Sequence, residues 1–316
     1  MTFTVLLASD GSAQAKLARD LVAALALPQD AIVRIVSALG IAPSLAGVPG
    51  SIRDQLIAEA TATIERELAE LAAPLERRGL RVECAVLGGR AASAIVDDAG
   101  SSHADLVVVG SHGRGGLGSV LLGSVSAEVV DRAPCPVLVA RGRALERVIL
   151  AEDGSTNAGR ARDLVAGWRI FRDAMVRVVS VAHVDAHFES GIAPSERVVI
   201  HRQLVASRAA TRHAHERLAT RSVQLLAAAG LRSEAEVRVG GAAEEIVSVA
   251  RDWRADLVVL GSRGRTAIAR LLLGSVARGV LLNAPCSVLV VPSGTLLGTE
   301  SAATEDRERS VVAARS

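Results

Sequence analysis

The sequence predicts an α/β protein made of two tandem doubly wound domains, each with a five-stranded parallel sheet. Short, almost continuous runs of Val, Leu and Ile alternate with segments of helical periodicity, which is typical of parallel strands covered by helices on both faces. The whole pattern occurs twice within 316 residues, a length that suits two domains. Hydrophobic residues make up 50% of the chain and aromatic residues only 2%, so both cores must consist mainly of Ala, Val, Leu and Ile.

Two internal alignments define the repeat. Residues 104–140 and 255–291 align without a gap at an offset of 151, whereas residues 5–23 and 148–166 align at an offset of 143. The second copy therefore carries eight extra residues between these segments, and we place them within 183–220. A period near 145 residues is the size of a whole domain, which indicates a duplicated domain rather than a solenoid.

The predicted domains cover residues 1–141 and 146–293, and the boundary between them falls within the polar, Arg-rich segment 141–147. Residues 294–316 lack periodicity and are rich in small and charged residues, so we expect a mostly disordered tail. The chain reaches Asp10 too soon for a signal peptide and has no apolar run long enough to span a bilayer. We therefore expect a cytoplasmic protein that does not enter membranes.

Strands and helices of the first copy alternate strictly. An apolar strand at 3–9 leads to a helix at 13–27 whose apolar residues recur with helical spacing. After a strand at 31–39, a long amphipathic helix spans 51–79 and ends at Gly79. The remaining elements are a strand at 80–88, a helix at 91–102, a strand at 104–110, a glycine-rich loop with a helix after it, and a last strand at 135–141.

A glycine-rich loop follows the fourth strand of each copy. In doubly wound sheets, ligands bind beyond the carboxyl ends of the strands, and Gly110 ends the fourth strand of copy one. Glycine lets a ligand approach closely, and successive exposed N–H groups form an anion-binding nest. Gly123 and Ser124 lie where the next helix should begin, with Ser124 expected as its N-cap. Because a helix N-terminus attracts anions, the loop and the helix start together predict a phosphate site.

Other binding classes fit the sequence poorly. A P-loop needs a Lys in its glycine-rich segment, and the only Lys in the chain is Lys16. A dinucleotide-binding fingerprint would follow the first strand. A net charge of +2 and the scarcity of aromatic residues argue against a nucleic acid partner.

Cysteines and histidines form no metal-binding pattern. The three cysteines are widely spaced and no CxxC occurs, so neither a disulfide framework nor a zinc site is predicted. Cys135 and Cys286 precede the last strands and are expected to be small packed residues. His213 and His215 are expected to lie on a solvated helix face.

The glycine spacing narrows the prediction. A pattern G-x2-G-x9-G-[ST] occurs in each copy after a Val-rich strand, and each copy opens with DGS and has APC before its last strand. This combination resembles the ATP-binding branch of the universal stress protein family, over residues 3–292 and in two tandem copies. The resemblance implies an adenine nucleotide alpha hydrolase-like, Rossmann-like fold. The pattern residues are Gly110, Gly113, Gly123 and Ser124 in the first copy and Gly261, Gly264, Gly274 and Ser275 in the second.

The resemblance implies one ATP site in each copy, where Mg²⁺ could accompany the nucleotide. Asp10 and Asp153 would lie near the adenosine, although both could also be N-caps of the helix after DGS. Backbone groups of Ala38 and Val181, at the end of the second strand, would face the adenine edge, and the family usually has Val at the position of Ala38. The pattern residues would hold the phosphates, and we expect Arg114 and Arg265 to contact them too.

The favoured function is a nucleotide-dependent stress-response or signalling protein rather than a fast enzyme. The alternative is an adenine-nucleotide-dependent enzyme on the same fold, either a weak ATPase or a nucleotidyl transferase. That class needs its own signature, such as HxGH, SGGxDS or a Lys-rich loop, and none occurs in the sequence. His112 has Arg263 as its counterpart, so we expect a loop side chain near the phosphates rather than a catalytic base. The repeated motif and the scarcity of aromatic residues disfavour an electron-transferring flavoprotein subunit.

Two further expectations concern the relation between the copies. Because exposed edge strands are prone to aggregate, the two last strands should pair within the chain as an intramolecular pseudo-dimer, with a homodimer of whole chains left open. The second site should attract a triphosphate more strongly, because Arg263 and Arg278 replace His112 and Ala127, and the carboxylate of Glu128 has no counterpart in copy two.

Overall fold

The computed structural model describes most of the chain. Arg114, Arg265 and residues 295–316 of the predicted tail lie outside the described residues. Within the described part, no helix combines the length and the apolar composition that crossing a bilayer requires. The described residues are 2–40, 49–113, 122–182, 194–264 and 273–294, with side chains left out over 194–207.

Each copy forms the predicted alternation of strands and helices. Copy one contains β1 (Thr4–Ala8), α1 (Ala13–Ala24), β2 (Ile32–Leu39), α2 (Gly50–Glu76), β3 (Arg81–Gly88), α3 (Ala91–Ser101), β4 (Leu106–Gly110), α4 (Ser124–Arg132) and β5 (Val137–Ala140). Copy two contains β6 (Arg147–Ala151), α5 (Thr156–Gly167), β7 (Met175–Ala182), α6 (Pro194–Ala228), β8 (Arg232–Val239), α7 (Ala242–Asp252), β9 (Leu257–Gly261), α8 (Ser275–Asn283) and β10 (Ser287–Val291).

The eight extra residues of the second copy lengthen a single helix. Helix α6 has 35 residues, whereas its counterpart α2 has 27. Helix α6 begins inside the segment 183–220 where we expected the insertion. The extra length is therefore helical.

All ten strands belong to one sheet, in the order β3-β2-β1-β4-β5-β10-β9-β6-β7-β8. Within each copy every neighbouring pair is parallel, which confirms the doubly wound five-stranded arrangement. The copies meet where β5 and β10 pair antiparallel, with Leu138 opposite Leu289. The expected pairing of the two last strands is therefore present.

The apolar core covers both faces of this sheet and is continuous across the junction. Leu138 and Leu289 pack with the face that carries α1, α2, α5 and α6. Val139 and Val288 pack with the face that carries α3, α4, α7 and α8. Because one cluster on each face includes residues from both copies, the copies share their core rather than merely touching.

Cysteine reactivity tests this packing. Cys135 and Cys286 are buried as predicted, and burial raises the pKa of both thiols to about 12. Cys84 is exposed, and its pKa is raised as well, by partial burial and the charge of Glu76. Because the thiolate is the reactive form, we expect a thiol reagent at pH 8 to label the folded protein only at Cys84, and all three cysteines after unfolding. Peptide mass spectrometry measures this, and fast labelling of Cys135 in the folded protein would contradict the packing.

Candidate nucleotide sites

The described candidate site residues of each copy lie near the carboxyl ends of the first, second and fourth strands and at the start of the helix after the fourth. In copy one, the chain leaves β1 towards β2 on one side, while β4 lies on the other side of β1. This reversal of strand order opens a crevice above the sheet, which is where doubly wound proteins bind ligands. The second copy has the same reversal of strand order, between β6 and β9.

The DGS turn follows the first strand and starts the first helix. Gly11 has a φ of 74°, a left-handed conformation that favours glycine. Ser12 is the N-cap of α1, because its hydroxyl accepts the N–H of Ala15 at 3.2 Å. Asp10 instead accepts the N–H of Ser12 through Oδ1 at 3.0 Å. The interpretation of the aspartate as the N-cap is therefore wrong, because the serine two residues later takes that role.

Copy two repeats this geometry. Gly154 has a φ of 78°, and the hydroxyl of Ser155 caps α5 by accepting the N–H of Ala158 at 3.1 Å. Asp153 Oδ1 accepts the N–H of Ser155 at 2.9 Å. The caps were missed from the sequence, although Ser followed by a helical run is an ordinary helix start signal.

The second carboxylate oxygen of each aspartate faces the glycine loop. A Cβ built on Gly264 would lie 2.6 Å from Asp153 Oδ2, and a Cβ on Gly113 would clash with Asp10 Oδ2. A side chain at either position would require the aspartate carboxylate to move. The glycines thus allow the loop after the fourth strand to approach the aspartate after the first.

The outer glycines permit two further close approaches. A Cβ on Gly110 would lie 3.0 Å from the Cβ of Gln14 in α1, so glycine lets the helix and the strand end meet. Gly123 donates its N–H to the carbonyl of Ser111 at 2.8 Å, which closes the base of the loop. The corresponding bond in copy two joins Gly274 to Ser262, also at 2.8 Å.

The helix after each loop begins one residue earlier than predicted. Gly123 and Gly274 are the N-caps of α4 and α8, and Ser124 and Ser275 are the first helical residues, so the N-cap prediction for Ser124 is wrong. The reason is that Gly123 is extended and tied to Ser111 through its N–H. Glycine has no side chain with which to cap a helix, so neither N-cap residue occupies the first-turn N–H groups of α4 and α8.

The backbone at the end of the second strand faces the same crevice. Val36 accepts the N–H of Ser9 at 2.8 Å, so its backbone groups point towards β1. Backbone groups alternate sides along a strand, so those of Ala38, two residues later, also point to the side where β1 lies. Ala38 itself lies past the point where β1 ends. Val179 accepts the N–H of Glu152 at 2.9 Å, which places Val181 equivalently in copy two.

Each copy matches the same known family of proteins. Residues 1–141 and 145–292 each match the model of the Universal stress protein family. The chain belongs to the universal stress protein family. It has the tandem form, with two such domains in one polypeptide.

Similar universal stress proteins occur in bacteria and archaea. One from Thermus aquaticus is 38% identical over 139 residues, which cover 44% of this chain and 98% of that protein. Another, from Mycolicibacterium smegmatis, is 30% identical over 231 residues, or 68% of this chain and 70% of that protein. The crystal structure of a universal stress protein from Archaeoglobus fulgidus has a TM-score of 0.63 at 19% identity, covering 92% of this chain and 96% of that one. At this identity the likeness shows the fold.

Charges near the two helix starts differ less in this universal stress protein than the sequence indicated. Glu128 forms ion pairs with Arg132 at 2.7 Å and Arg90 at 3.2 Å, so its charge is largely compensated. Arg278 lies near Asp131 of the first copy, where burial raises the pKa of the aspartate and the Arg278 guanidinium opposes that rise. The stronger binding expected at the second site remains a prediction with a smaller electrostatic basis.

Histidines near the sites differ in their surroundings. His112 follows β4, and its buried Nδ1 has no hydrogen-bond partner among the described residues. His213 is exposed and contacts Glu216 at 2.9 Å, as expected of a solvated face. His215, however, is buried against Ser180, so that part of the prediction is wrong. Residues two apart on a helix point about 200° apart, so one faces solvent and the other the core.

Proposed function

We propose that this universal stress protein binds ATP at one site in each copy and acts as a stress-response or signalling protein through nucleotide occupancy, not as a fast enzyme. The observation that carries the proposal is the approach of Asp10 to Gly113 and of Asp153 to Gly264. A carboxylate accepts hydrogen bonds at both oxygens, so it is suited to accept one from a ribose hydroxyl. The glycines beside it have no side chain that would obstruct the phosphates.

Other features support the same ligand. Backbone N–H and C=O groups of Ala38 and Val181 can pair with the donor and acceptor on the adenine edge. The N-termini of α4 and α8, whose N-cap residues are glycines, would offer N–H groups and a partial positive charge to the phosphates. His112 adds a buried ring nitrogen without a partner among the described residues. The roles of Arg114 and Arg265 remain predictions, because both lie outside those residues.

Phosphate oxygens would supply most ligands to an accompanying Mg²⁺ ion. Within the described part of the chain, no group of three or more His, Cys, Asp and Glu is placed to hold a metal. This fits an ion that arrives with the nucleotide, as Mg²⁺ commonly does.

We further propose that the β5–β10 junction makes the chain an intramolecular pseudo-dimer that acts in the cytoplasm. The antiparallel pairing covers both last strands, so neither needs a second chain. Light scattering against the chain mass of 32.6 kDa will show whether a homodimer forms as well.

The direct test is to denature the purified protein and identify released nucleotide by chromatography and mass spectrometry. We expect an adenine nucleotide, up to two per chain. If none is released and calorimetry with millimolar ATP and Mg²⁺ detects no binding, the proposal is wrong.

Phosphate release from ATP separates the proposed function from the enzyme alternative. We expect turnover far below the values of about 1–1000 s⁻¹ that are typical of enzymes. A rate inside that range would favour the ATPase alternative, and transfer of a nucleotidyl group would favour the other.

A further inference from the structure

A cluster of buried polar side chains lies beneath the second site. Glu152 directly follows β6, Ser180 lies on β7, and His215 and Ser222 lie on α6. Their exposed fractions are 5%, 0%, 8% and 1%, respectively. Burying polar groups costs free energy unless they are hydrogen-bonded, so their bonds show what the cluster connects.

Glu152 connects the turn of the second site to helix α6. Its Oε1 accepts the N–H of Gly154 at 2.8 Å. Its Oε2 accepts the hydroxyl proton of Ser222 at 2.5 Å and lies 4.0 Å from the guanidinium of Arg162. One carboxylate therefore holds the backbone of the Asp153–Gly154 turn at one oxygen and the helix at the other.

His215 makes a second connection between the same elements. Ser180 donates its hydroxyl proton to the carbonyl of Glu152 at 2.6 Å. Because a hydroxyl has one proton and a carbonyl only accepts, Ser180 must accept from His215 Nδ1, which lies 2.8 Å away. This bond fixes a proton on Nδ1 whether or not Nε2 is protonated. Both the main chain and the side chain of Glu152 are thus linked to α6.

The first copy supports its turn without this connection. Ser9 occupies the position of Glu152, and its hydroxyl accepts the N–H of Gly11 at 3.1 Å. Ile64 and Leu71 of α2 occupy the positions of His215 and Ser222. A serine is therefore enough to support the turn. The three residues that differ in copy two add a polar link between the turn and the helix.

Helix α6 carries that link away from the site. His215 lies beside the carboxyl ends of β6 and β7, and α6 continues from there back to Pro194. At 1.5 Å per residue, this part of the helix is about 30 Å long. Movement of the turn would therefore reach a helical segment well beyond the sheet.

We propose that Glu152 is a positioning residue of the second nucleotide site and couples ATP occupancy of that site to helix α6. Ser222 and His215 transmit the position of the helix to the Asp153–Gly154 turn, and among the described residues Ser9 makes no such link to α2. This inference rests on the proposed ATP binding.

Hydrogen exchange with and without saturating ATP and Mg²⁺ tests the coupling. We compare the unaltered chain with the triple variant Glu152→Ser, His215→Ile, Ser222→Leu, in which every residue is the one found in copy one. In the unaltered chain, ATP should slow exchange both in the turn at 153–156 and in α6 over 194–214. In the triple variant, ATP should slow exchange in the turn only. Residues 50–63 of α2 provide the internal control and should respond equally in both proteins.

Ser222→Ala supplies a milder variant in case the triple variant does not fold. Removing one hydrogen bond should reduce the ATP-dependent slowing in α6 about fivefold while the turn stays protected. If ATP protects the turn but the response of α6 is the same in the unaltered chain and the variants, the coupling is wrong and ATP binding stands. The coupling is also wrong if α6 never responds. If ATP changes exchange in neither turn, the proposed function fails and the coupling with it.

Discussion

Replacing Gly264 by Val should abolish ATP binding at the second site and leave the first site intact. A Cβ at this position would lie 2.6 Å from Asp153 Oδ2. Asp153 Oδ1 accepts the N–H of Ser155 at 2.9 Å, so moving the carboxylate away from a new side chain would break this bond and distort the turn. We expect at least about a 100-fold loss of affinity at that site, or about 2.7 kcal/mol, by calorimetry. Gly113→Val should do the same at the first site, and the two single variants report the affinity of each site separately.

Gly88→Val is the matched control for these variants. A Cβ at Gly88 meets no atom within 4 Å, and the second copy already has Val239 at that position. The control should bind two nucleotides as the unaltered chain does. Unchanged binding in the double variant Gly113→Val, Gly264→Val would show that these loops do not hold the nucleotide.

Replacing Leu289 by Ala should destabilise both copies together. Leu289 is 1% exposed, lies opposite Leu138 at the junction and belongs to a core cluster that includes residues of both copies. Truncating a buried Leu costs about 2–5 kcal/mol, through lost burial and the cavity left behind. Because the cluster is shared, we expect a single denaturant transition that moves as a whole to lower denaturant concentration.

Leu282→Ala is the control for the junction variant, because Leu282 is 37% exposed and its truncation should change the free energy of unfolding by less than about 0.5 kcal/mol. Two separate transitions, with only the later copy destabilised by Leu289→Ala, would show that the copies unfold independently.

The elements could be predicted from the sequence because each depends on local periodicity. Val-rich runs and helical spacing located the strands and helices of copy one, the repeat predicted the same alternation in copy two, and the offset placed the eight extra residues within 183–220. The contact between Asp10 and Gly113 could not be predicted from the residues alone, because it depends on the distance between two strand ends far apart in sequence. The resemblance to the family indicated both residues as part of the site, but not that they lie close together.

The errors arose where neighbouring residues compete for one role. Ser124 is a better cap than glycine by residue preference, but Gly123 is held in the cap position by its bond to Ser111. His213 and His215 looked alike in sequence, but the rotation of α6 places only His215 against Ser180. The role of Glu152 could not be predicted, because a single carboxylate at a strand end forms no recognisable sequence pattern.

The strand junction within one polypeptide also frees the two sites from symmetry. When two identical chains pair through their last strands, every substitution appears at both sites, because a two-fold dimer repeats each residue. Here β5 and β10 belong to the same chain, so Glu152 and Ser9 occupy equivalent positions in one molecule. Because β5 and β10 pair antiparallel, the strands of the two copies run in opposite directions. The carboxyl ends of the strands, and with them the two candidate sites, therefore lie on opposite sides of the sheet. The duplicated chain is thus a two-ended molecule whose ends can specialise separately.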